Sequence, residues 1–143
     1  MPATINGPTP ALSNGSGGYQ VGSGNLSELR LGYMSAPPTA AGTGTATLTA
    51  AQVTGGILVS TPTGNIDYTL PSGADIDAVL TSAHVGSTFD LALCVNASYT
   101  TKFTASSTVV DGGGITIANA AGVSAMYRFR KTGDGAWSVY KIG

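Results

Sequence analysis

The chain has 143 residues, with Lys and Arg together numbering 6, Asp and Glu 7, and a formal net charge of −1. Its charged fraction of 9% stands against roughly 25% in an ordinary soluble domain. Too few clustered cations to neutralise phosphates argues against nucleic acid, the lack of an apolar run near 20 residues argues against a membrane-spanning helix, and a single Cys excludes an internal disulfide framework.

No basic stretch followed by an apolar one marks a signal peptide at the N-terminus, so synthesis and initial solubility inside a cell are expected. The hydrophobic fraction of 42% includes 19 Ala, each burying little area. Disorder goes with high net charge and few β-branched residues, and this chain has neither. Glu28 and Arg30 are the only charged residues among the first 66. Residues 1–28 mix Gly, Pro, Ser and Asn with isolated apolar residues and hold no period of 2 or 3.6, which predicts an extended arm. "LRLGYM" (Leu29 to Met34) alternates briefly, and "SAPPTAAGTG" reads as a linker. The arm and linker are therefore assigned to residues 1–42 and a β domain to residues 43–143.

The regular part opens with "TATLT", a strand pattern. Thr49 then fits an N-cap for one helical turn, "AAQVTG". "GILVSTP" and "NIDYTLP" read as two strands joined by a "TPTGN" hairpin turn. Ser72 fits the cap of a short helix, "GADIDAVL", with Asp75 in its first turn, where the helix dipole favours acid. In "GSTFDLALCVN", Phe89, Leu91, Leu93 and Val95 alternate with Asp90, Ala92 and Cys94. "YTTKFTA", "STVV" and "ITIA" read as further strands, with "DGGG" as a turn. The last hairpin is "SAMYRFRK", the turn "TGDG", and "AWSVYKI". Met126, Arg128 and Arg130 share one face of its first strand and Tyr127, Phe129 and Lys131 the other; as a basic cluster, Arg128 to Lys131 suits a solvent face. The expected class is all-β, a sandwich or jelly-roll-like domain with two short helices and an extended N-terminal arm.

Chemistry is sparse. His84 and Cys94 are the lone members of their types; a nucleophilic pair needs them in hydrogen-bond reach with an orienting third group, and zinc needs more ligands than these. Asp75 and Asp77 lack the further oxygen ligands and closing Glu of a calcium loop and read as a solvated pair. Asp67, Asp90 and Asp111 offer combinations for glycoside hydrolysis that any β protein would offer. Tyr127, Phe129, Trp137 and Tyr140 suit a core or subunit contact better than a sugar-stacking platform. The expectation is no enzyme, no cofactor and no metal.

A long uncharged Gly/Thr/Ala segment gains order by lying on another surface, and charge is depleted at interface cores. The run "GTATLTAAQVTGGILVSTPTGNIDYTLPSGADIDAVL", then "GSTFDLALCVN" and the closing "YRFRKTGDGAWSVYKIG" resemble tailed-bacteriophage virion proteins over roughly residues 43–143. The resemblance is to capsid decoration (cement) and head-fibre modules. It implies a small β-sandwich or jelly-roll knob, often trimeric, that sits where capsomers meet. The partners it implies are the major capsid protein and further copies of the chain. It implies a place on the capsid surface of the virion after synthesis in a bacterial cytoplasm. Leu29, Leu31, Tyr33 and Met34, the densest apolar group of the arm, with Arg30 as a polar anchor, are the expected contacts to capsid or neighbouring subunit. The alternative is a receptor- or glycan-binding head of a phage fibre.

Overall fold

The computed structural model describes residues 34–143, and Ser35–Gly143 form one compact unit. Its strands are β1 (Thr39–Thr47), β2 (Ile57–Thr69), β3 (Thr88–Val95), β4 (Thr101–Thr104), β5 (Val109–Gly113), β6 (Ala125–Gly133) and β7 (Ala136–Lys141). Among the described residues the helices are α1 (Ala50–Thr54) and α2 (Gly73–Val79). The chain here is mostly β.

Both helices start where the sequence places them. Thr49 accepts from Gln52 N–H while Gln52 Oε1 accepts from Thr49 N–H, a reciprocal capping box. Ser72 accepts from Asp75 N–H and donates to Asp75 Oδ2 at 2.7 Å. Each helix returns the chain to lay the next strand parallel to the last: β1 to β2 through α1, β2 to β3 through α2. β6 pairs antiparallel with both β3 and β7, and β5 adds parallel to β7.

The expected hairpin at "TPTGN" does not form. β2 runs unbroken for 13 residues, and the turn residues become a bulge. β1 advances from Gly42 to Gly44 while β2 advances from Pro62 to Ile66. Before the bulge Ile57–Ser60 pair with β3; after it Ile66–Thr69 pair with β4. Asn65 Oδ1 accepts from Thr100 N–H at 3.0 Å and directs that change of partner. Gly64 lets the two strands approach closely here: a Cβ would lie 2.2 Å from Thr43 Oγ1, so a larger residue would force the Thr43 side chain to turn away. β1 itself starts at Thr39, inside the stretch expected as linker, and Thr39–Gly42 pair with Val59–Pro62.

The sheet order is β1-β2-β3-β6-β7-β5, with β4 also on β2. The sheet curls. The segment after β5 meets the free side of β4: Phe103 N–H donates to Ile115 O at 3.2 Å, and Thr101 bridges to Asn119. "ITIA" is accordingly not a strand; Ile115 is buried as a plug and Asn119 carries the bridge. Inside the curl, Phe89 stacks on Phe129 at 4.6 Å and meets Trp137 at 5.4 Å, while Phe103 lies 4.3 Å from Tyr127. Leu58, Tyr68, Leu91, Leu93 and Val139 complete much of this core.

Buried polar groups inside it are matched. Ser60 Oγ and Tyr68 Oη lie 2.6 Å apart, and Tyr68 donates to Ala40 O at 3.3 Å. Asn119 Nδ2 donates to Thr101 Oγ1 and to Tyr127 Oη, tying β4 to β6. Burial pushes both phenols above their usual range.

Candidate functional site

The groups weighed for catalysis lie apart. His84 is exposed before β3, and Cys94 is half-buried at that strand's far end. The six residue steps of strand from Thr88 to Cys94 span about 20 Å. Asp90 is held by Arg128 on the facing strand through two bonds of 2.7 and 2.8 Å, and the guanidinium keeps its carboxyl below the usual range. Asp67 pairs with Lys102 across β2 and β4 at 3.2 Å. Asp111 caps the turn after β5, accepting from Ile115 N–H and Thr116 Oγ1. Each carboxylate serves its own neighbourhood. Among the described residues no three of His, Cys, Asp and Glu gather as metal ligands, and no helix is long and apolar enough to cross a membrane.

Asp77 corrects the solvated-pair reading. Its Oδ1 accepts from Trp137 Nε1 at 2.9 Å, and its Oδ2 accepts from Gly135 N–H at 2.8 Å and pairs with Lys131 Nζ. The Lys131 side chain is only 7% exposed, against 23% for Asp77. Its ammonium lies 5.6 Å from the Trp137 ring centroid. The Lys131 ammonium first, then the Gly135 and Trp137 donors, hold the Asp77 carboxyl below the usual range against the opposing effect of burial. This clamp fastens α2 to the β6–β7 hairpin. Lys131 thus belongs to the interior, whereas Arg128 and Arg130 do face solvent.

The aromatic residues of the last hairpin are mostly core: Tyr127, Phe129 and Trp137 are buried, and Tyr140 is half-buried on the outer face. That face carries another feature. Strand register places Ile57 beside Ala92 and Ala92 beside Met126. Ile142 N–H donates to Met126 O at 2.8 Å, which puts Ile142 next in the row. Met126 and Ile142 are 40% and 48% exposed, so an apolar row crosses four neighbouring chain segments. The β1 edge nearby carries no charged residue. It is blunted instead by the bulge and by Gln52 Nε2, which donates to Thr39 O at 2.8 Å. An open cleft of about 430 Å³ lies between the start of α1 and the start of α2, lined by Thr47, Leu48, Leu70, Pro71 and Asp75.

Of the residues expected to bind a partner, Met34 is 52% exposed; Leu29, Arg30, Leu31 and Tyr33 lie outside the described residues. The apolar row leaves no signal in the sequence, because its members come from separate chain segments. Comparison of the chain with protein-family models, curated proteins and solved structures gives no match.

Proposed function

We propose that the chain is a structural protein of a tailed-phage virion. In this reading it decorates and stabilises the capsid at capsomer junctions through its N-terminal arm and an oligomeric, β-sandwich- or jelly-roll-like knob. It is not an enzyme. The observation that carries the reading is the outer apolar row Ile57, Ala92, Met126 and Ile142, half-buried at its first two members and exposed at its last two, on a domain whose β1 and first half of β2 hold no charge. An apolar row flanked on one side by the Asp90–Arg128 pair has the make-up of an interface core with a polar rim. Light scattering at micromolar concentration tests the association, with a trimer expected from the resemblance to decoration modules. A stable monomer would contradict it.

Two truncations test the arm. A chain starting at Ser35 keeps all the strand partners of β1 and is expected to melt near the full-length value. It should no longer co-sediment with capsids that lack the protein. A chain starting at Thr43 loses four register partners of β2 and the buried Ala40, so it is expected to melt well below the first. Capsid binding of the intact chain should vary weakly with salt, because Glu28 and Arg30 are the arm's only charges. Retention of decoration by the Ser35 chain would move the contacts into the knob.

A further inference from the structure

Asp134 and Gly135 form the two-residue turn between β6 and β7, with Asp134 exposed and Gly135 at φ +59°. An aspartate followed by glycine is chemically labile, because glycine has no Cβ to shield its nitrogen. The Gly135 nitrogen attacks Asp134 Cγ, a C–N bond forms, the nitrogen loses its proton, and the carboxyl oxygen leaves as water. The cyclic imide then takes up water. Opening at the former backbone carbonyl leaves an isoaspartyl linkage of unchanged mass, with the chain running through the side-chain carbon.

In this fold the attacking nitrogen is engaged. Gly135 N–H donates to Asp77 Oδ2 at 2.8 Å, so its hydrogen points to α2. The same carboxylate is fixed by Trp137 Nε1 and Lys131. The Gly135 carbonyl is also confined, since it lies against Gly73, where a Cβ would meet its oxygen at 2.0 Å. We propose that Asp134–Gly135 is a latent isoaspartate site, and that Asp77 keeps it closed by holding the Gly135 amide. The second such dipeptide among the described residues, Asp111–Gly112, is restrained from the other side: its carboxylate, the electrophile, is tied to Ile115 N–H and Thr116 Oγ1. This assignment is independent of where on a particle the chain sits.

The test is ageing of the intact protein at neutral pH and 37 °C, below the melting temperature of every variant used. Trypsin then releases residues 132–141, whose isoaspartyl content is read by electron-transfer fragmentation. The Asp77→Ala protein should form isoaspartate at Asp134 about tenfold faster than wild type, the equivalent of one lost hydrogen bond to a carboxylate of about 1.4 kcal/mol. Asp77→Asn keeps a side-chain oxygen acceptor and should remain slow. Lys131→Met weakens the clamp without removing the acceptor, so it separates amide restraint from simple loss of stability. Slow modification in Lys131→Met beside fast modification in Asp77→Ala is the expected pattern. Equal rates in wild type and Asp77→Ala, or equally fast rates in Lys131→Met and Asp77→Ala, would overturn the proposal.

Discussion

Gly73→Ala is expected to destabilise the domain by about 3–5 kcal/mol, a large effect for one methyl group. The added Cβ would lie 2.0 Å from Gly135 O and 2.5 Å from Gly135 C. Both atoms are backbone in a tight turn, so no side chain can rotate away. The first turn of α2 has to lift from the hairpin. Lifting breaks the 2.8 Å bond from Gly73 N–H to Thr108 Oγ1 and pulls Asp77 from its three partners. Overpacking alone costs about 1–3 kcal/mol, and lost bonds to a charged group add about 1.5–3 kcal/mol. Urea denaturation reads the change directly. A midpoint within error of wild type would mean that α2 and the hairpin are not in this contact.

Asp77→Ala should cost about 2–3 kcal/mol, chiefly by leaving the buried Lys131 ammonium without its counter-charge. It should also remove a pH dependence. The folded-state pKa of Asp77 lies below its ordinary value of 3.8. The stabilisation is therefore fully present above that ordinary value and is lost as pH falls through the lowered folded value. Urea midpoints of wild type and Asp77→Ala are expected to converge on acidification below about pH 4. A constant gap down to the acid end of the titration would show that the carboxylate charge contributes nothing.

Local signals carried much of this architecture. The caps at Thr49 and Ser72, the alternation through β3 and the β6–β7 hairpin all rest on residues a few positions apart. What was not legible depended on distant partners. Pro62, Thr63, Gly64 and Asn65 have hairpin-turn chemistry, but β4 offers Ile66–Thr69 a partner in the same direction, so the chain bulges and continues. The parallel pairing was hidden for a related reason: a helix of five residues looks like a turn, yet it is the crossover that a parallel neighbour needs. The role of Asp77 is hidden in the sequence because its partners Gly135 and Trp137 lie 58 and 60 residues away. One signal did exist. Lys131 alternates in phase with Tyr127 and Phe129, and a lysine facing a core requires an anion. The apolar outer row needed strand register, which spacing alone does not provide.

Decoration of a capsid, as proposed above, is decided by a cryo-EM map of a tailed-phage virion assembled with this chain. Density for the curled seven-stranded domain is expected on the outer capsid surface at capsomer junctions, in symmetric clusters. In each cluster the row Ile57, Ala92, Met126 and Ile142 should be covered by a subunit or by the shell. The N-terminal residues should run on from Ser35 to the capsid protein. A shell complete without this density, or the domain found only at a fibre tip facing the host, would contradict it.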